Sequence, residues 1–482
     1  MILLRLLLPA LVAGLVLVLP AQGREMPHPH ARTGTPPTAL DRYVAAADTN
    51  FTWKVAGSVR GEGGEVFFLD MTSQAWLTTN EVSQPLWRHW VIVARPDDLQ
   101  HDTALLFISG GRNGDGKPPK VNNDLINIAR ATKSVVAELR MVPNQPLVFF
   151  NDGKERFEDD LIAFTWDKFL RTGDEKWPAR LPMTKAAVRA LDTITAFAAG
   201  EQGGRKTVDK FVVAGGSKRG WTTWTTGIVD RRVVSIAPIV IDMLNVEPSF
   251  VHHWRAYGYW APAVGDYVAH GIMDWMNTPE YKALLKIEEP FEYLGRLTMP
   301  KLLINATGDQ FFLPDSAQFY FDQLPGVKFL RYVPNADHSL KGTDAYETLL
   351  AWHDVTLNRR ALPAVSWTHE APGRLRVKAG SAPAEVKLWQ VTNPNARDFR
   401  LEVTGPAWQA TALTSTNETY SAEVSVPEKG WTAYLVEFTY NLGGPAPLKV
   451  TTDVRVVPDT LPFPAPTVAA PPKGFLSAGG AK

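Results

Sequence analysis

A serine, an acid and a histidine recur in this chain in an order and setting that suit nucleophilic chemistry. The serine lies in Phe211-Val212-Val213-Ala214-Gly215-Gly216-Ser217-Lys218-Arg219-Gly220-Trp221. An apolar run enters a tight glycine turn, Ser217 takes its apex, and a helical segment follows. That is the setting of a nucleophile elbow. Small residues let strand and helix approach, the turn holds the hydroxyl out, and the helix N-terminus favours developing negative charge. A serine needs a base for its proton and a carboxylate to orient that base. The apolar run Lys301 to Ala306 ends in Thr307-Gly308-Asp309-Gln310, and the run Lys328 to Val333 ends in Pro334-Asn335-Ala336-Asp337-His338-Ser339. Asp309 and His338 therefore fall at C-terminal strand ends, where open α/β sheets place their sites. The order Ser, Asp, His predicts acyl transfer, with Ser217 attacking, His338 as base and then acid, and Asp309 orienting it. The expected oxyanion donors are the backbone N–H of Lys218 and of Gly110 or Gly111, in the glycine-rich Ser109 to Gly114.

One position departs from the usual G-x-S-x-G. Arg219 stands where the second glycine belongs, and Gly220 follows, so the Arg219 side chain must point away from the strand–helix contact. Rival residues exist for each role. Asp337 adjoins His338, but neighbouring strand-end residues point apart. Asp242 ends the preceding strand and is a second candidate acid. Asp315 reads as a surface or helix-start residue, and His353 as an ordinary helix histidine. His252 and His253 lie in an aromatic stretch bordering the expected site. The acidic Glu158-Asp159-Asp160 reads as a solvated helix start. Arg140 and Asn144, with Glu138 nearby, and the aromatics Trp254, Tyr257 and Trp260 are expected to border the pocket. Asn50-Phe51-Thr52 and Asn417-Glu418-Thr419 match a loosely specified glycosylation pattern.

The elements that must position these groups alternate. Strand-like runs at Phe51–Val55, Glu65–Leu69, Trp87–Ala94, Thr103–Ser109, Ser134–Leu139, Phe211–Ala214, Val233–Ile241, Lys301–Ala306 and Lys328–Val333 are interleaved with helical spacing near Asn122–Ala131 and Thr184–Ala199. Short apolar strands alternating with helices predict a mostly parallel sheet covered on both faces, an α/β-hydrolase fold over residues 41–362. The aromatic-rich stretch at about 243–297 breaks the rhythm and reads as a helical insertion over the functional edge. After Pro363 the runs Leu375–Val377, Val386–Trp389, Phe399–Val403, Tyr420–Val426, Thr432–Thr439 and Leu448–Val457 alternate at close spacing. They predict an antiparallel β-sandwich, immunoglobulin- or fibronectin-like, over 363–457. Residues 458–482, rich in Pro, Ala and Gly, read as an extended tail.

Composition narrows the partners. The 482 residues are 45% hydrophobic and 21% charged, with Lys+Arg and Asp+Glu equal at 50 each, so no global charge draws the chain to nucleic acid or an anionic membrane. Cysteine is absent, which removes disulfides and thiolate chemistry, and the 10 histidines form no HExxH, so no metal or cofactor is expected. Arg5, the apolar run Leu6 to Leu19, Pro20 and Ala21-Gln22-Gly23 predict a secretory signal peptide over 1–23, with cleavage leaving no membrane span. Residues 24–40 read as a loose leader. The chain is thus expected to be periplasmic or secreted. Its expected partner is a small-molecule, glycan-ester or peptide substrate.

Eight segments carry a family resemblance: YVAAADTNFTW, SQPLWRHW, HDTALLFISGG, ELRMVPNQPL, GGSKRGWTTW, VVSIAPIVIDMLN, GDQFFLPDS and LRYVPNADHSL, spanning about Tyr43 to Leu340. Through them the chain resembles the PhoPQ-activated pathogenicity-related protein family of bacteria. The resemblance implies an exported α/β-hydrolase-like protein and no particular substrate. The serine followed by basic residues and a glycine is also similar to the elbow of glucuronoyl esterases. Two other classes compete with a hydrolase. One is a non-catalytic binding or signalling protein on a hydrolase scaffold, and the other an envelope- or carbohydrate-binding protein led by its β-sandwich.

Overall fold

The computed structural model describes residues 30–32, 36–114, 116, 118–468 and 470–477, so the expected signal peptide lies outside the described residues. In chain order the first part runs α1 (Ala39–Ala45), β1 (Thr52–Gly61), β2 (Gly64–Ala75), β3 (Leu86–Pro96), β4 (Thr103–Ile108), α2 (Asn123–Thr132), β5 (Val136–Leu139), α3 (Glu158–Thr172), α4 (Arg180–Ala199), β6 (Lys210–Gly216), α5 (Lys218–Val229) and β7 (Val233–Ile239). The aromatic stretch follows as α6 (Val246–Tyr257), α7 (Gly265–Ala269) and α8 (Pro279–Glu288), with short 3₁₀ turns between them. Then come β8 (Lys301–Ala306), β9 (Lys328–Val333) and α9 (Ala345–Asn358). The last part contains β10 (Val365–Ala371), β11 (Arg374–Ala379), β12 (Glu385–Asn393), α10 (Leu401–Thr404), β13 (Gln409–Ala412), β14 (Thr419–Glu423), β15 (Trp431–Tyr440), β16 (Leu448–Thr451) and β17 (Arg455–Val457). Among the described residues no helix is long and apolar enough to cross a membrane.

The sheet runs β1-β2-β3-β5-β4-β6-β7-β8-β9, antiparallel from β1 through the β3–β5 pair and parallel from β5 to β9. This is an α/β fold with a mostly parallel centre. Its middle strands are buried on both faces, which is why they read as unbroken apolar runs rather than as alternation. In β6, Phe211 and Val213 join the core beneath α4 and α5, while Val212 and Ala214 join the core beneath α2 and α9. In β11 burial alternates strictly, with Leu375, Val377 and Ala379 inward and Arg374, Arg376 and Lys378 outward. That is the signature of a sheet with one wet face.

The sheet does not stop at the change of character near 363. β16 pairs antiparallel with β9 (Thr451 opposite Leu330), and the order continues β9-β16-β15-β12-β13. A separate three-stranded sheet, β10-β11-β14, packs its apolar face on this extension. The expected strand at Phe399–Val403 is instead the short helix α10. The Arg400 N–H binds the Asp398 carboxylate (3.1 Å) and the Leu401 N–H binds the Gly308 carbonyl (3.0 Å), so these donors are unavailable to a ladder. The tail docks on the body. Phe463 lies over Gly258 and Phe475 over Gly173, both glycines at positive φ, where an added Cβ would meet the rings at 2.7 and 2.6 Å.

Candidate active site

The elbow forms because β6 and α5 must nearly touch. A Cβ on Gly215 would meet the Arg219 carbonyl oxygen at 2.8 Å, and one on Gly220 would meet Ile241 Cγ2 at 2.8 Å and the Ile239 oxygen at 2.9 Å. Gly220 thus takes the close-approach role that G-x-S-x-G gives to the position before it. Ser217 sits at the apex with φ 58° and ψ −126°, a conformation disfavoured for a side-chain-bearing residue, pinned by its N–H on the Ile239 carbonyl (2.8 Å). The first N–H groups of α5, beginning at Lys218, have no intrahelical acceptor and face the turn.

His338 and Asp309 meet. The His338 Nδ1 lies 2.8 Å from Asp309 Oδ2, and Asp309 Oδ1 accepts the Phe311 N–H at 2.8 Å. Asp309 is 3% exposed, so its carboxylate is held in the fold and not in solvent. Phe311 packs its ring 4.4 Å from the imidazole centroid. With Nδ1 donating to the acid, Nε2 is the acceptor face. Ser217 and His338 line one cavity of about 360 Å³, walled by Phe107, Leu125, Ile128, Tyr346 and Leu349 between α2 and α9. A serine, an imidazole and a buried carboxylate so placed can carry acyl transfer.

The rival acids separate cleanly. Asp337 turns to its own loop, accepting the Ser339 N–H and hydroxyl at 2.9 and 2.6 Å. Asp242 is buried between two tyrosines, accepting the Tyr320 and Tyr332 hydroxyls at 2.5 and 2.6 Å. Burial pushes its carboxyl up to about 7 against the pull of those two hydrogen bonds. Asp315 is not on the surface. It is 2% exposed, ion-paired with Arg397 (2.5 Å) and hydrogen-bonded to His252 Nε2 (3.0 Å), because the segment after Asp309 is covered by the last third of the chain. His253 is buried, accepts the Ala261 N–H at 3.0 Å, and is pushed down to about 3 by burial. His353 is a buried residue of α9 bonded to the Ser134 hydroxyl at 2.8 Å.

The remaining candidates spread around the centre. A Cβ on Gly110 would meet the Arg219 guanidinium at 2.5 Å, so this glycine is the gap through which Arg219 passes. Gly111 and Arg140 line a neighbouring crevice, where Arg140 pairs with buried Glu138 at 2.9 Å. Asn144 is buried and donates to the Arg88 carbonyl. Trp254, Tyr257 and Trp260 line neither cavity that meets Ser217. Trp260 backs Phe250 edge-on at 5.8 Å, and Tyr257 lies under the Arg400 guanidinium at 5.1 Å.

Glu158-Asp159-Asp160 is not a solvated helix start. Glu158 pairs with Lys218 (2.9 Å) and Arg219 (2.6 Å), Asp159 with Lys218 (3.1 Å) and the Tyr267 hydroxyl (3.0 Å), and Asp160 with His270 (2.6 Å). The start of α3 therefore clamps the two basic residues after Ser217 and fastens the insertion above them. Burial pushes Glu158 up, but the Arg219 hydrogen bond and the Lys218 and Arg219 charges outweigh it and hold the carboxyl down at about 2. We expect Glu158→Gln to cost about 1–2 kcal/mol at pH 7, discounted for the group's partial exposure. The folded carboxyl releases its proton more readily than the unfolded one, so this stability is present above roughly pH 4.5. It is lost as pH falls toward 2. Urea titrations from pH 7 to pH 3 should show the variant losing less on acidification than the parent, and parallel curves would disprove the clamp.

Sequence reasoning also missed the buttress behind the acid and histidine loops. The Leu401 N–H bonds Gly308, the Asn335 amide exchanges bonds with the Trp408 backbone (3.0 and 2.8 Å), and Arg397 holds Asp315. None of these partners is within 60 positions of its counterpart, so no local pattern carried a signal.

Residues 40–400 match the model of the PhoPQ-activated pathogenicity-related protein family, three quarters of the chain. The chain belongs to that family. The family match runs past the α/β unit and takes in the Arg397 and Arg400 seam. Autocrine proliferation repressor protein A of Dictyostelium discoideum is 37% identical over 456 residues, covering 88% of this PhoPQ-related chain and 92% of that protein. Among solved structures, acetyl xylan esterase 1 from Thermoanaerobacterium is 13% identical, covering 66% of this chain and 91% of that one at a TM-score of 0.46. A glucuronoyl esterase from Solibacter usitatus is 12% identical over the same shares at 0.40.

Proposed function

We propose that this PhoPQ-related chain is an exported serine hydrolase that cleaves an ester or a peptide bond. The observation that carries the reading is the buried Asp309 paired with His338, which lines the same cavity as Ser217 on its strained turn. Ser217 Oγ attacks the carbonyl carbon while His338 Nε2 takes its proton. The carbonyl electron pair moves onto oxygen, where the Lys218 N–H and an N–H of the Gly110–Gly111 segment receive it. Collapse breaks the bond to the leaving group, which takes the proton from His338. Water, deprotonated by His338, then releases the acid from Ser217. Asp309 keeps its charge throughout and fixes the imidazole. The apolar run Leu6 to Leu19 supports export to the periplasm or medium.

The test is labelling of the mature protein with a fluorophosphonate probe. We expect labelling that disappears in Ser217→Ala. A folded parent protein that stays unlabelled would overturn the hydrolase reading. It would then favour a second one, suggested by the name of the Dictyostelium relative: a signalling protein on a hydrolase scaffold.

A further inference from the structure

We infer that the acyl group accepted at Ser217 is short, of acetyl or propionyl size, and that the alcohol it leaves is bulky and largely apolar. This rests on the serine-hydrolase reading above and narrows its substrate class to short-acyl esters.

Two cavities meet at Ser217. The larger, about 360 Å³, has mostly apolar walls, with Asn122, Asp124 and Ser339 among them. The smaller, about 40 Å³, lies under the insertion among Trp221, Met243, Phe250, Val264, Tyr267 and Phe312, with Asp159, Arg180 and Lys218 also on its wall. The chemistry decides which takes which half of the ester. When the tetrahedral intermediate collapses, the bond from carbon to the alcohol oxygen breaks and that oxygen receives the proton from His338, so it must lie within hydrogen-bond reach of the imidazole. His338 lines the large cavity and not the small one. The alcohol therefore occupies the large cavity. The acyl chain, the other substituent on the same carbon, enters the small one.

Size then sets the acyl length. One water needs roughly 10–15 Å³ of such space, so the small cavity of about 40 Å³, which Lys218 also lines, takes an acyl group of about three or four heavy atoms counting its carbonyl, that is acetyl or propionyl. Its walls are held. The Trp221 indole N–H donates to the Glu288 carbonyl at 2.6 Å, with the Arg180 guanidinium 4.1 Å from its ring. Tyr267 is tied to Asp159, and the backbone at Phe311 is tied to Asp309. Close-packed walls of this kind do not yield readily to extra methylenes. The large cavity falls within the usual range for a small-ligand site.

The experiment is a 2-naphthyl ester series, acetate, propionate, butyrate and hexanoate, turned over by the full mature chain. We expect kcat/KM to fall at least tenfold between propionate and butyrate, within the roughly 10- to 200-fold that one methylene is worth in an apolar pocket. Phe250→Ala and the milder Val264→Ala should each move the optimum toward butyrate, whereas Leu349→Trp, in the large cavity, should raise KM and leave the chain-length profile in place. Turnover with a flat profile, or an optimum at butyrate or longer in the parent, overturns this inference alone. No turnover of any ester, with Ser217 unreactive to fluorophosphonate, overturns the hydrolase reading and this inference together.

Discussion

Asp309→Asn should lower kcat by about 10⁴, the loss seen when a triad acid is replaced by its amide and the histidine is left in the wrong tautomer. The amide at 309 would present either an N–H to His338 Nδ1 or a single carbonyl oxygen, and it could no longer stabilise the imidazolium that forms as Ser217 is deprotonated. KM should change little, because Asp309 lines neither cavity at Ser217. Asp242→Asn is the paired control. Asp242 is as deeply buried, but its partners are Tyr320 and Tyr332. Its carboxyl, pushed up to about 7, is already partly neutral near that pH. An amide there should leave kcat within a few-fold of the parent at pH 7. Equal losses in the two variants would place the orienting acid elsewhere. Retained activity in Asp309→Asn with loss in Asp242→Asn would reverse the assignment.

Arg397→Ala should destabilise the protein by about 3–5 kcal/mol, the cost of removing one partner from a buried ion pair. Arg397 and Asp315 are each 2% exposed, and His252 is the other partner of the carboxylate. Burial pushes the Asp315 carboxyl up, but the Arg397 and His252 charges and hydrogen bonds more than reverse this and hold it well below the usual carboxylate range. That contribution is in place above roughly pH 4, the unfolded value, and is lost as pH falls below it. The variant should therefore unfold at lower urea at pH 7 and lose less than the parent on acidification. Adding Asp315→Asn should recover part of the loss, since the stranded charge is gone, and this coupling is what a double-mutant cycle reads. A single-variant cost below 1 kcal/mol, or strict additivity, would show that the seam does not depend on this pair. Because Asp315 lies six residues after Asp309, the same variant also asks whether the last third of the chain steadies the acid loop.

The sequence by itself determined the alternating α/β core and the order of its strands in the chain, and it offered Ser217, Asp309 and His338 as candidates at strand ends. β8 and β9 run over the residues their apolar runs mark, since strands buried on both faces of a parallel sheet are predominantly apolar, with Asn305 and Arg331 as buried exceptions. Ser217, Asp309 and His338 stood out as candidates because each belongs to such a local strand–turn pattern. Tertiary structure alone decided what surrounds them. The Glu158 clamp on Lys218 and Arg219, the pairing of His338 with Asp309 and not Asp242, the burial of Asp315 by Arg397, and the joining of β16 to β9 are all contacts between residues far apart in sequence. A charged residue looks the same in sequence whether it meets water or an opposite charge. Its fate depends on which distant segment the fold lays against it, and for Glu158 and Asp315 that segment supplied the cation. The aromatic residues of the insertion show the same limit: Phe250 reaches the small cavity, while Trp254, Tyr257 and Trp260 on the same stretch do not, because the packing of α6 on its neighbours sets which side faces Ser217.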